Sequence, residues 1–77
     1  MYYVYLLKNK ITKQLYYGYS NNLERRLKEP DRENMLIYYE SYLSELDTRE
    51  RERKLKHYGQ TRTRLKNRLR ESLQQKN

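Results

Sequence analysis

LYYGYSNNLERRL, residues 15–27, holds three of the chain's ten tyrosines, one of its two glycines and a pair of arginines. The stretch changes period in the middle. LYYGY is rich in β-formers and reads as a strand, whereas Asn21 followed by Glu24 resembles a capping box that opens a helix. Leu23 and Leu27 share one face of that helix, and Arg26 lies close to Leu23 on it. Working outward, YYVYLL (residues 2–7) reads as a first strand and MLIYYESY (residues 35–42) as a third. KNKITKQ, residues 8–14, is the polar hairpin connection between the first two strands, and one register for it is a two-residue loop at Lys10-Ile11. It would set Tyr5 opposite Tyr16 and Tyr3 opposite Gly18, with both phenols on one face. A strand glycine commonly marks close approach by a ligand or another backbone.

Pro30 ends the first helix, because the residue before a proline avoids the helical region. Ser44 with Asp47 is a second cap-like pair, and SELDTRERERKLKHYG reads as a second helix closed by Gly59. Thr61 caps a third helix with Leu65, Leu69 and Leu73 along one stripe, and the last residues, 75–77, form a frayed tail. The order β-β-α-β-α-α predicts an α+β fold, a small three-stranded antiparallel sheet flanked by helices, in one domain over residues 1–74.

Seventy-seven residues bury a modest core, so stability is thin. Without Phe, Trp or Cys, that core must be built from Leu, Val, Ile and Tyr. The absence of cysteine excludes disulfides and thiolate metal sites and fits a reducing cytoplasm. The apolar start is too short and too polar to span a membrane. Nothing in the sequence specifies an oligomeric state.

The net charge of +8 is localised. Residues 1–48 carry seven basic and seven acidic side chains, whereas residues 49–70 carry ten Lys or Arg against Glu50 and Glu52. Such a block is the footprint of a polyanion binder; its bland reading is a solvated helix face. Arg49, Arg53, Lys56, Arg62 and Lys66, with the open space at Gly18, are the candidate nucleic-acid contacts. Membrane-surface binding is disfavoured, because residues 49–64 lack a broad apolar face. Glu52 falls at the edge of the face defined by Leu55. A carboxylate there suits a hard cation such as Mg²⁺, and equally suits an i,i+4 ion pair with Lys56.

In this order the residues resemble the GIY-YIG nuclease family. Tyr3-Val4-Tyr5 stands for the first motif, with tyrosine in place of glycine, and Tyr16-Tyr17-Gly18 for the second. Arg26 falls at the helical arginine position and Glu52 at the helical glutamate. The resemblance covers residues 2–58. It implies a metal-dependent DNA endonuclease acting on duplex or branched DNA, of the kind used in DNA repair. Glu52 would hold one Mg²⁺ or Mn²⁺, Arg26 would stabilise charge on the phosphoryl oxygens, and Tyr5 or Tyr16 would orient or deprotonate the attacking water. Two departures stand out. Pro30 occupies the position where many members carry histidine, and PDREN is shorter than the usual connection. His57, the one histidine, reads as a helix-end residue favouring the dipole. An impaired nuclease, a non-catalytic DNA-binding module and an RNA-binding protein are therefore all open readings.

Overall fold

The computed structural model describes residues 1–28 and 33–74; the expectations for Pro30, the PDREN connection and the frayed tail fall wholly or largely outside them. Three strands, β1 (Tyr2–Asn9), β2 (Leu15–Ser20) and β3 (Asn34–Tyr42), form one antiparallel sheet in the order β2-β1-β3. Around them lie α1 (Leu23–Lys28), α2 (Glu45–His57), α3 (Gly59–Arg68) and α4 (Arg70–Gln74). The α+β sheet-and-helix architecture is the one expected.

The hairpin differs from the expected one. Five residues, 10–14, join β1 to β2 instead of two. Asn9 organises them: its Oδ1 accepts from the backbone N–H groups of Ile11 at 2.9 Å and Thr12 at 2.8 Å. Lys13 takes a positive φ of 67°. An asparagine side chain that mimics a turn in this way leaves little trace in a propensity reading. The longer loop slides the register by two residues. Tyr5 faces Gly18, Leu7 faces Tyr16 and Tyr3 faces Ser20. Because side chains alternate with period two, a slip of two preserves every face. Tyr5 and Tyr16 still project to the same side, but diagonally.

β1 is central, and each of its faces has its own cover. Val4 packs with Leu55 of α2 and Leu65 of α3 on one side, joined by Tyr17, Tyr38, Tyr42 and Leu69. Tyr5 and Leu7 pack with Leu23 of α1 on the other, joined by Tyr3 and Leu36. A bulge makes this division possible. Leu6 pairs with Tyr38 while Leu7 pairs with Leu36, so Ile37 is the extra residue. It reverses the alternation of β3, which lets Leu36 join one face and Tyr38 the other.

The helix boundaries hold three corrections. Asn22, not Asn21, caps α1, its Oδ1 accepting from Arg25 N–H at 3.0 Å. Ser44 caps α2 as expected, accepting from Asp47 N–H at 3.3 Å, and His57 is the last helical residue. Gly59 does not close α2 in a left-handed conformation; Tyr58 is the C-cap and Gly59 opens α3. Thr61 accordingly lies within the first turn of α3 and not at its cap. The leucine stripe is interrupted at Leu69, where the backbone leaves the helix before α4. Lys8 Nζ donates to the Leu73 carbonyl and ties α4 back to β1.

Candidate active site and its electrostatics

The first constellation is built by β1, β2 and α1. Leu23 anchors α1 against Tyr5 and Leu7, which brings Arg26 over the same sheet face. Arg26 Nε donates to the Tyr5 hydroxyl at 3.1 Å, and its guanidinium carbon lies 5.6 Å from the Tyr5 ring centroid. Tyr5 is only 8 % exposed. Its ring runs across β2 directly over Gly18. A Cβ added at Gly18 would sit 2.7 Å from Tyr5 Cε1, well inside van der Waals contact. The space expected beside the glycine is therefore taken by a phenol of the chain itself, not left open for nucleic acid. Tyr16, two residues before Gly18 on the same face, is 46 % exposed and donates to Gln14 Oε1 at 2.9 Å.

Glu52 is placed by α2. Thr48, Glu52 and Leu55 form an i, i+4, i+7 stripe, of which Thr48 and Leu55 are buried against the sheet. The Glu52 side chain is 15 % exposed and pairs with Lys56 Nζ at 3.0 Å. This is the ion pair that the spacing allowed. The helix covers the Val4 face, whereas Tyr5 and Tyr16 project to the opposite one. The two sides meet at the end of β2. A pocket of about 320 Å³ there is lined by Tyr19, Ser20 and Asn21, by Arg25 and Arg26 of α1, and by Glu45 and Arg49 of α2. Arg49 stacks 3.8 Å from the Tyr19 ring centroid, and the Tyr19 hydroxyl donates to Glu45 at 2.7 Å. That hydrogen bond holds the Tyr19 phenol above its ordinary range.

A second polar cluster was not foreseen. Glu40 of β3 accepts from Tyr38 at 2.7 Å, from Tyr42, and from Arg51 Nε and Nη2 at 2.9 and 3.0 Å. Burial, then the hydrogen bond to Glu40, pushes both phenols up to about 12. Burial works against the Glu40 carboxylate, but the bonds from Arg51, Tyr42 and Tyr38 outweigh it and hold the carboxyl below its usual range. The alternation Tyr38-x-Glu40-x-Tyr42 signalled a shared face; nothing local signalled Arg51 as its partner.

Several expected nucleic-acid contacts are engaged within the protein. Arg53 pairs with Glu50 at 2.6 Å, and Arg49 lies 3.7 Å from Glu45. Arg62 donates to the carbonyls of Leu55 and Lys56, at 3.1 and 2.8 Å, and so closes the end of α2. Lys56 holds Glu52. Lys66 is exposed on α3, with no ion pair among the described residues. No group of three or more His, Cys, Asp or Glu that could hold a metal occurs among the described residues, and no described helix is long and apolar enough to cross a membrane. Glu52 is the carboxylate expected to hold a metal. That donor fits a hard cation by type, with the other positions left to water and phosphate oxygens.

Fold and site together define a small α+β domain with a phenol–guanidinium cluster on one sheet face. The family model of the GIY-YIG catalytic domain matches residues 1–33, the part that builds β1, β2 and α1 and carries Tyr5, Tyr16, Gly18 and Arg26. Over these residues, less than half of the chain, the protein is similar to the GIY-YIG catalytic domain. Glu52 and the basic block lie beyond the matched residues. Neither the curated proteins nor the solved structures gave a match.

Proposed function

We propose that the chain is a divalent-metal-dependent DNA endonuclease that hydrolyses phosphodiester bonds. The observation that carries this reading is the 3.1 Å bond from Arg26 to Tyr5 inside the segment matched by the catalytic-domain model. A guanidinium seated on a nearly buried phenol is held in place before substrate arrives, and its planar fork suits phosphoryl oxygens as charge builds on them. Tyr5 is the positioning residue, since its oxygen already accepts from Arg26. Tyr16 is the phenol open to solvent and takes the role of orienting the attacking water. Glu52 would hold the Mg²⁺ or Mn²⁺, which supplies Lewis-acid polarisation of the phosphate when bound. Reaching it requires Glu52 to give up Lys56, and requires the substrate to bridge from the Arg26 face to α2 around the end of β2.

Plasmid nicking with Mg²⁺ or Mn²⁺ tests the proposal. Arg26→Ala and Glu52→Ala are each expected to lower the rate by about 10²-fold or more, by analogy with the loss of a single charge-stabilising donor. Nicking that survives Glu52→Ala would overturn the assignment of the metal ligand. A second reading, a DNA-binding module without catalysis, is favoured by the Glu52–Lys56 pair and the separation of α2 from the phenol face. It predicts salt-sensitive DNA binding with no nicking by the parent chain.

A further inference from the structure

We propose that the groove between α2 and α3 is a docking surface for the DNA phosphate backbone, separate from the Tyr5–Arg26 face. It rests on the reading above only for the choice of DNA as the polyanion. The groove, of about 400 Å³, is lined by Arg51, Lys54, Thr61, Arg64, Leu65 and Arg68. Four cations and a hydroxyl converge, and no acidic side chain is among the lining residues. On α3 the spacing 61, 64, 65, 68 is one helical face, so Arg64 and Arg68 rise from the same side as the groove floor. That floor is Leu65, which is 2 % exposed and fixed in the core with Val4 and Leu55.

The cations differ in how far they are satisfied. Arg51 is held in a two-point bond by Glu40. Lys54 lies 4.0 Å from Glu50, whose carboxylate is committed to Arg53 at 2.6 Å. The Arg64 and Arg68 side chains are exposed and make no ion pair or hydrogen bond among the described residues. The positive field of this groove is thus poorly compensated, unlike that of the α2 residues Arg49, Arg53 and Lys56. An anion entering it relieves the mutual repulsion of the cations and releases counterions from its own backbone. The chemistry selects a phosphate chain over a peptide or a lipid surface. The one apolar lining residue is buried, so nothing is available to seat an apolar side chain or an acyl tail.

The test is binding of a labelled duplex in EDTA, so that affinity is read without cleavage. Arg64→Glu with Arg68→Glu is expected to weaken binding at least about tenfold near 0.1 M salt and to reduce the log–log salt slope by about two. The Arg64→Ala, Arg68→Ala pair should fall between, with an unchanged circular-dichroism spectrum. At saturating duplex, the charge-reversed chain should cleave at the parent maximal rate. A parent chain that binds through these arginines but never nicks would sink the nuclease reading and leave the groove standing. Parent-like affinity and slope in the charge-reversed chain would overturn the groove. So would a loss confined to duplex RNA.

Discussion

Gly18 links sequence to site more directly than any other single residue. Its φ is not positive, so the backbone does not demand glycine. What demands it is the Tyr5 ring, which occupies the volume of a Cβ. Gly18→Ala should therefore destabilise the chain by about 1–3 kcal/mol, the usual range for overpacking. It should also displace the phenol from Arg26. In urea unfolding, pairing it with Tyr5→Leu should remove most of that cost, because the two positions share one volume. Additive effects of the two changes would show that the ring and the glycine are not in contact. The Tyr-rich strand and the glycine were both visible in the sequence. Their pairing was not, since it depends on a hairpin register that Asn9 and Lys13 set through a turn of their own.

At the scale of secondary structure, the strongest polar tie is between β3 and α2. Glu40 gathers Arg51, Tyr38 and Tyr42 at once. Its folded carboxyl titrates below the unfolded value, so its contribution is present above the ordinary carboxylate range and is lost as pH falls through the depressed value. The phenols act oppositely. Their stabilisation is complete below the ordinary tyrosine range near 10 and is lost as pH rises toward about 12. Urea midpoints measured against pH should therefore fall at both ends, and Glu40→Gln should flatten both limbs. Loss of the carboxylate should also cost roughly 3 kcal/mol near neutrality, because Arg51 loses its anionic partner and the two half-buried hydroxyls are left with one amide oxygen in place of two carboxylate oxygens. A pH profile unchanged by Glu40→Gln would show that the cluster does not link the two segments. Helix α2 itself was legible from Ser44, Asp47 and its basic run. Its end was not, because Arg62, read as a nucleic-acid contact, instead serves the carbonyls of Leu55 and Lys56.

The whole molecule depends on a few apolar side chains. Val4, Leu55 and Leu65 are the buried centre of the face covered by α2 and α3, with Leu6 beside Val4 on the central strand. Removing a buried leucine costs about 2–5 kcal/mol, a large share of the stability available to a domain of this size. Leu65→Ala should therefore leave a substantial unfolded fraction at 37 °C, read as lost helical circular dichroism and a lowered urea midpoint. A near-parent midpoint would mean that α3 contributes little to the core. The same leucine fixes the floor between Arg51, Lys54, Arg64 and Arg68, so the proposed phosphate-docking groove and the core share one anchor.

Read alone, the sequence determined which segments are strands and helices, that Tyr5 and Tyr16 share a face, and that the excess positive charge lies in residues 49–70. Each of these follows from period, caps or counting, which act over a few residues. Tertiary structure decided what touches what. It turned Gly18 into the seat of the Tyr5 ring and brought Arg26 onto that phenol. It also put Glu52 on the helix of the opposite sheet face and decided which cations are bonded within the protein and which, such as Arg64 and Arg68, are exposed beside the groove. The physical reason is that partners such as Glu40 and Arg51, or Arg62 and the end of α2, are chosen by packing across the sheet and between helices, and no local pattern encodes that choice.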